Sequence, residues 1–302
     1  WMLQPNGSGP FVLDTLERDS IVLRRNERYY GIKPALDRVE FVLSSGQPMT
    51  MYENDQLDIV GVSSYEIERV SDPHNPLNAE LVMAPELSVA YLGLNVNLPP
   101  FDDPAVRQAF ACAIDRDVLA NLVYKGTALP AKGILPPSLP DYNPELEGLP
   151  YDPERARALL ASSRYGSAEN LPEIVLTIDG TSGYMSSTAA AVLGMIEDNL
   201  GIQMRVEQVD WPDFLSDLLL QRYQLFSSGW IADYPDSQDF LDILFHSGSP
   251  QNHTGYADAE VDALLERGRV ASAYEWTQLY RQAEERIVQS ATGIPLTHGL
   301  AI

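Results

Sequence analysis

Asp233, Asp236 and Asp239 fall at three-residue intervals in the stretch SGWIADYPDSQDFL (228–241), between a tryptophan and an apolar run. Carboxylates so placed serve as acid–base catalysts, metal ligands, helix caps or the grip on a cationic ligand. Asp236 and Asp239 have a structural account. With Asp236 as N-cap, Asp239 falls in the first turn of a helix whose apolar face is Phe240, Leu241, Leu244 and Phe245, and both carboxylates face its positive end. Asp242 reads as a solvated residue of that helix. Asp233 differs, because it follows a strand end at Trp230 and has no capping duty if Asp236 caps. Flanked by Trp230 and Tyr234, it suits a cationic group on a ligand. A loop aspartate bonding nearby backbone amides is the equal alternative.

Other chemistry is thinly represented. The four histidines, His74, His246, His253 and His298, have no helical ligand spacing between any two. The chain contains no HExxH, GxSxG, GxGxxG or phosphate-binding glycine loop, so neither an enzyme nor a metal or cofactor site is expected. The single cysteine, Cys112, excludes an internal disulfide and, within FACAI, reads as a buried apolar residue. Twenty basic residues against 43 acidic ones give a net charge of −23, which repels phosphate backbones and anionic membranes and excludes nucleic acid as a partner. No apolar run approaches the roughly 18–20 residues of a spanning helix. The opening WMLQPNGSGP carries no export signal and reads as the interior of a longer chain.

The elements that must hold these residues are legible in turn. FVLDTL, SIVLRR and RVEFVL read as strands of an antiparallel or mixed sheet. MTMYENDQLDIVGV reads as a short helix and then a strand, SYEIERV as the start of another helix and VAYLGLNVN as a strand. Asp103-Pro104, Asp115 and Asp152-Pro153 mark helix starts, and a proline-rich connector (129–153) wraps a surface. EIVLTI (173–178), MRVEQVDW (204–211) and YQLFSSGW are strands separated by helices, one with Val192, Met195, Ile196 and Leu200 as its stripe and Gly201 as its stop. Strand–helix–strand–helix–strand with short connections implies parallel pairing, with ligands beyond the carboxyl ends of the strands. The aspartate stretch begins at such an end. Asp258 caps AEVDALLERGRV, Ser272 and Glu275 form a capping box for a helix burying Leu279, Ala283 and Ile287, and GIPLTHGLAI is a final strand.

Several segments together resemble the extracytoplasmic solute-binding proteins of peptide-type ABC importers, the oligopeptide- and dipeptide-binding family. NGSGPFVL (6–13) is similar to an early family segment. YLGLNVNLPPFDDPAVRQAFACAIDRDVL (91–119) is similar to its most diagnostic block, with Asn95, Pro100, Phe101, Arg107, Ala109, Asp115 and Arg116 in place. GWIADYPDSQDFL, NHTGYADAEVDALLERGRV and LYRQAEERIVQSATGIPL resemble later blocks in the same order.

The resemblance implies an α/β, periplasmic-binding-protein-like two-lobed clamp, with residues 1–90 forming part of lobe one and 91–302 most of lobe two. It also implies a C-terminal fragment lacking the opening strands of lobe one, an inserted subdomain and the return to lobe one. It implies a non-enzymatic, extracytoplasmic monomer that captures a small solute, a peptide above all, for a membrane permease. In peptide-binding members the aspartate of the DY-containing block receives the free α-amino group. That role maps onto Asp233, with Trp230 lining the pocket and Tyr234 beside it. The segment DGTSGYMS (179–186) supplies no arginine for a peptide carboxylate; Tyr184 offers stacking or a hydrogen bond, or is a core or rim tyrosine. Arg107 and Asp115 are expected to be structural ion-pair residues, and Asn95 a hinge residue. A receptor for an oligosaccharide or metal chelate is the alternative within the fold, and a secreted acidic hydrolase the alternative class.

Overall fold

The computed structural model describes residues 7–43 and 46–302; residues 1–6, including the first residue of NGSGPFVL, lie outside it. Its contacts divide the chain into two units, Trp1–Val62 and Ser63–Ile302. In the first, β1 (Phe11–Leu16), β2 (Ser20–Arg25) and β3 (Arg38–Val42) form an antiparallel sheet in the order β1-β2-β3, followed by helix α1 (Pro48–Glu53). The expected strand in LDIVGV does not form, and Ile59 is 88% exposed. Its apolar alternation has no pairing partner among the described residues, and an extended segment without a ladder gains nothing from its β-propensity.

The second unit opens with α2 (Ile67–Val70), β4 (Ala84–Pro85) and β5 (Ser88–Leu94). Helix α3 (Pro104–Ala113) starts as the sequence dictates, the Asp103 carboxylate accepting from Ala105 N with Pro104 as the first helical residue. Then come α4 (Arg116–Val118), running into a π-turn at Leu119–Val123, β6 (Ala128–Pro130) and α5 (Pro153–Ser162). The legible alternation follows: β7 (Ile174–Asp179), α6 (Ser187–Leu200), β8 (Met204–Val209), α7 (Trp211–Leu219) and β9 (Leu225–Ile231). Gly201 ends α6 in the left-handed conformation (φ 68°). The chain closes with α8 (Gln238–Phe245), α9 (Ala259–Gly268), α10 (Ala273–Ser290) and β10 (Gly293–Ala301). Ser272 occupies the N-cap position of α10, but its side chain makes no capping bond, and Glu275 faces Arg267 (3.6 Å) rather than closing the expected box.

The seven strands form one mixed sheet, β4-β10-β5-β9-β7-β8, with β6 also on β10. β7 pairs parallel with β8 and β9, as expected, whereas β5 runs antiparallel to both β9 and β10. The carboxyl ends of β7, β8, β9 and β10 and the amino end of β5 therefore share one edge of the sheet. Alternate residues feed two cores. Leu92, Leu94, Leu176 and Leu225 pack with α3, α5 and α6; Val89, Tyr91 and Phe226 pack with α7 to α10. The proline-rich connector does wrap, and it buries Ile134 and Leu135 completely in the second core. Gly93 lies opposite Phe226, and a Cβ there would meet the Phe226 ring at 2.0 Å, so the ring occupies the space a side chain would need.

Candidate functional site

The site is built at the end of β9. The ladder with β5 runs to Ile231 opposite Ser88, and Ala232 N extends it by donating to Leu87 O (2.8 Å). The chain then turns through Tyr234-Pro235 into α8. Asp236 was expected as the N-cap; Ser237 holds that position with helical dihedrals, and the Asp236 carboxylate instead accepts from Gln238 N (2.8 Å) one residue upstream of the cap. The effect on the helix end is the same, because a first-turn N–H gains an acceptor. Ser237 uses its hydroxyl elsewhere, donating to the buried carboxylate of Asp141.

Asp239 lies in the first turn, as expected, but does more than face the helix terminus. It is fully buried, and its Oδ2 accepts from both the Trp230 indole Nε1 (3.1 Å) and the Asp233 backbone N (2.9 Å). Its other oxygen has no partner among the described residues. Asp242 corrects the sequence reading outright. Only 3% exposed, it accepts from Arg269 Nε (2.5 Å) and from the Tyr280 hydroxyl (2.8 Å). A charge in that position is tolerated because both oxygens are paired.

Asp233 itself is exposed, and among the described residues its carboxylate takes part in no hydrogen bond or ion pair. The loop-aspartate alternative, with backbone amides on the carboxylate, is not the geometry seen. Tyr234 is half exposed, and its hydroxyl donates to Gln238 Oε1. Partial burial raises its pKa first, and Asp239, Asp236, Asp242 and Asp233 raise it further. The surroundings are thus negative, a field that favours a cation. Trp230 is half-buried against the second core.

Tyr184 lies in the loop after β7. Thr177 pairs with Phe226, so this loop and the Asp233 loop leave adjacent parallel strands at the same edge. Tyr184 is 73% exposed, which makes it a rim residue rather than a core one. The loop is held by Gln208 of β8, whose Oε1 accepts from Gly183 N and whose Nε2 donates to Tyr184 O (both 2.8 Å). Nothing in the sequence marked Gln208, a polar residue in a strand.

The residues of the diagnostic block lie at the opposite edge. Asn95 is 1% exposed; its amide donates to Gln221 O (2.8 Å) and accepts from Asn97 N (3.0 Å), tying the end of β5 to the turn before β9. Arg107 was expected in an ion pair. Its Nε donates instead to Ser290 O (2.9 Å) and its Nη1 to Phe101 O (2.7 Å), and burial lowers its pKa. Main-chain carbonyls, already fixed by the fold, satisfy the buried guanidinium without a counter-carboxylate. Asp115 caps α4, accepting from Val118 N (3.0 Å). At this same edge an open groove of about 590 Å³ is lined by Tyr256, Asp258, Leu264, Arg286 and Gln289, where Arg286 is tied to Asp258 (3.6 Å) and Glu260 (2.6 Å).

Cys112 is fully buried, and burial raises its pKa, as suits a small core residue. Among the described residues no group of three or more His, Cys, Asp or Glu is placed to hold a metal ion, and no helix is long and apolar enough to cross a membrane.

Comparisons with known proteins agree with this architecture. The family model for bacterial extracellular solute-binding proteins, family 5 (middle), matches residues 1–252. A probable di/tripeptide-binding protein 5 of Pseudomonas aeruginosa is 29% identical over 305 residues, covering 98% of this chain and 57% of the relative. The dipeptide-binding protein of Escherichia coli is 26% identical, covering 98% and 56%. The ABC transporter-associated periplasmic binding protein DppA of Helicobacter pylori, solved with the peptide STSA, superposes with a TM-score of 0.78 at 27% identity, covering 98% of this chain and 58% of that one. The α/β, periplasmic-binding-protein-like fold is thereby shared, and the chain spans a little over half the length of the relatives it matches.

Proposed function

The chain belongs to the family 5 bacterial extracellular solute-binding proteins, and from that membership we propose that it captures peptides by their free α-amino group for an ABC importer. The observation that carries the reading is the Asp233 carboxylate, exposed and unpaired beyond the carboxyl end of β9, between Trp230 and Tyr234 in a negative field. An ammonium is the partner such a group lacks. The two relatives and the solved neighbour named above are described as peptide-binding or peptide-bound, which favours peptides over the oligosaccharide, metal-chelate and hydrolase alternatives. In this reading Trp230 lines the site, Tyr234 borders it, and Tyr184 contributes from the neighbouring loop, while Asn95 serves the hinge. Residues 1–90 are part of a first lobe and 91–302 most of a second. The protein acts outside the cytoplasm as a monomer, without catalysis, and hands its solute to a membrane permease.

Calorimetric titration with free-amine di- to pentapeptides, beside the same peptides N-acetylated, tests this reading. Free-amine peptides alone should bind, and Asp233→Ala should lower their affinity about 30-fold to several thousand-fold, the ~2–5 kcal/mol typical of breaking a desolvated charge pair, while the melting temperature stays unchanged. Equal binding of acetylated peptides, or a parallel loss of affinity and stability in Asp233→Ala, would sink it.

A further inference from the structure

Asp239 is a buried carboxylate that meets the proposed ligand edge from behind. It makes no contact with solvent, yet one of its oxygens accepts from the ring of Trp230 and the backbone of Asp233, nine and six residues earlier in the chain. The loop's other restraints lie to either side of Asp233: Ala232 N on Leu87 O before it, and the Tyr234 hydroxyl on Gln238 Oε1 and Asp236 on Gln238 N after it. Among the described residues the Asp233 side chain has no hydrogen-bond or ion-pair partner to hold it. Two of the residues assigned to the ligand, one through its ring and one through its backbone, are therefore registered to each other by a single carboxylate oxygen. Asp239 can do this because it is anchored in the first turn of α8, between Gln238 and the fully buried Phe240, where the helix end favours negative charge.

We propose that Asp239 is the positioning residue of the peptide site, locking the Trp230 ring and the Asp233 main chain into one fixed geometry before the ligand arrives. The proposal rests on the amine-capture reading of Asp233. Its physical content is preorganisation. A carboxylate that need not be immobilised on binding holds its ammonium more tightly than one on a free loop. Asp239 does not touch the ligand; it acts through the two residues it holds.

The test has one arm without ligand and one with it. In the ¹⁵N-labelled protein, the Trp230 indole N–H is identified by its absence in Trp230→Phe, and its hydrogen exchange is measured. Asp239→Ala should accelerate that exchange about tenfold or more, as the loss of one charge-assisted hydrogen bond requires, whereas Asp239→Asn, which keeps an acceptor oxygen, should stay near wild type. In the second arm, Asp239→Ala should lose most of the preference for a free-amine tetrapeptide over its N-acetylated form, and Asp239→Asn should retain it. Unchanged indole protection in Asp239→Ala, or an equal weakening of both peptide forms, overturns the proposal. If Asp239→Ala fails to fold, Asp239→Asn decides alone: retained protection and retained amine preference support the tether, and loss of protection in a normally melting protein refutes it. If the wild type shows no preference for the free amine, the reading of Asp233 falls, and the exchange arm still judges whether Asp239 fixes the loop.

Discussion

Glu284 offers a prediction that can be worked through from the geometry. It lies on α10, 1% exposed, and its Oε1 accepts from Leu135 N (2.8 Å) in the proline-rich connector. Burial pushes its pKa up from about 4.5 to about 7, the nearby Asp141 adds to the rise, and the bonds from Leu135 and Ile134 and the charge of Arg281 only partly oppose it. A carboxyl whose folded value exceeds its unfolded value binds its proton more tightly in the folded state. Its stabilisation is complete below the unfolded value and is lost as the pH rises through the folded one. A displacement from 4.5 to 7 corresponds to about 3 kcal/mol, most of which falls between pH 5 and pH 8. Glu284→Gln keeps an acceptor for Leu135 N and cannot ionise. The wild type should therefore lose about 2–3 kcal/mol relative to the variant across that range, or ~5–10 °C in melting temperature for a unit of this size. The comparison must be a difference between the two proteins. Burial pushes His253 and His298 down to about 4, so their contribution is present above 6.5 and lost as the pH falls towards 4, which tilts the raw profile the other way. The assay is a series of thermal melts followed by circular dichroism at constant ionic strength. Parallel wild-type and Glu284→Gln profiles between pH 5 and pH 8 would refute the reasoning.

Three further outcomes follow from the same geometry. Asp242→Ala strands the fully buried Tyr280 hydroxyl and frees Arg269, and should cost about 3 kcal/mol in urea unfolding; a loss below ~1 kcal/mol would mean that water replaces the carboxylate. Arg116 donates from Nε to Pro295 O (2.7 Å) and from Nη1 to Ala111, Ile114 and Leu149 O, and burial lowers its pKa only to about 10, so it remains charged at neutral pH. Arg116→Met should destabilise by about 3 kcal/mol by the same measurement, and near-neutrality would show that these carbonyls do not depend on it. Asp236→Ala removes one acceptor at the start of α8 and should lower stability by about 1 kcal/mol while peptide affinity is unchanged, with affinity read by calorimetry beside the melt.

Sequence reading succeeded where the physics is local. Asp103-Pro104 and Asp152-Pro153 are starts whose caps lie within three residues of what they cap, and each is found in place. The spacing of Val192, Ile196 and Leu200 sets one helix face, and Gly201 stops it, because helical period and left-handed dihedrals are properties of a short stretch. The reading failed where partners are remote. Asp242 looks solvated in its own helix, since Arg269 and Tyr280 belong to other elements. Arg107 suggested an ion pair because no sequence pattern announces that the Ser290 and Phe101 carbonyls converge on it. LDIVGV has a strand's composition without a strand's partner, and composition cannot supply one. At the proposed site, spacing and resemblance single out Asp233 and Trp230, whereas the carboxylate of Asp239 that bonds to both was not singled out. Its helix position already gave it a sufficient explanation, and the fold gave it another.

The placement of β10 has a consequence for how the second unit comes into being. β10 is not added at a rim but lies between β4 and β5 and also carries β6. Leu92 pairs with Ile294 and Tyr91 with Ser228, so β5 waits for partners roughly 140 and 200 residues further along the chain. At a synthesis rate of ~5–20 residues per second, β5 spends on the order of ten seconds or more without its ladder while the rest is made. Closure of such distant loops comes before the contacts that repay it, which makes folding of this unit slow, late and cooperative. During that interval an apolar strand with two open edges needs shielding from other chains. A charge of −23, which sets each nascent chain against its neighbours, supplies part of it.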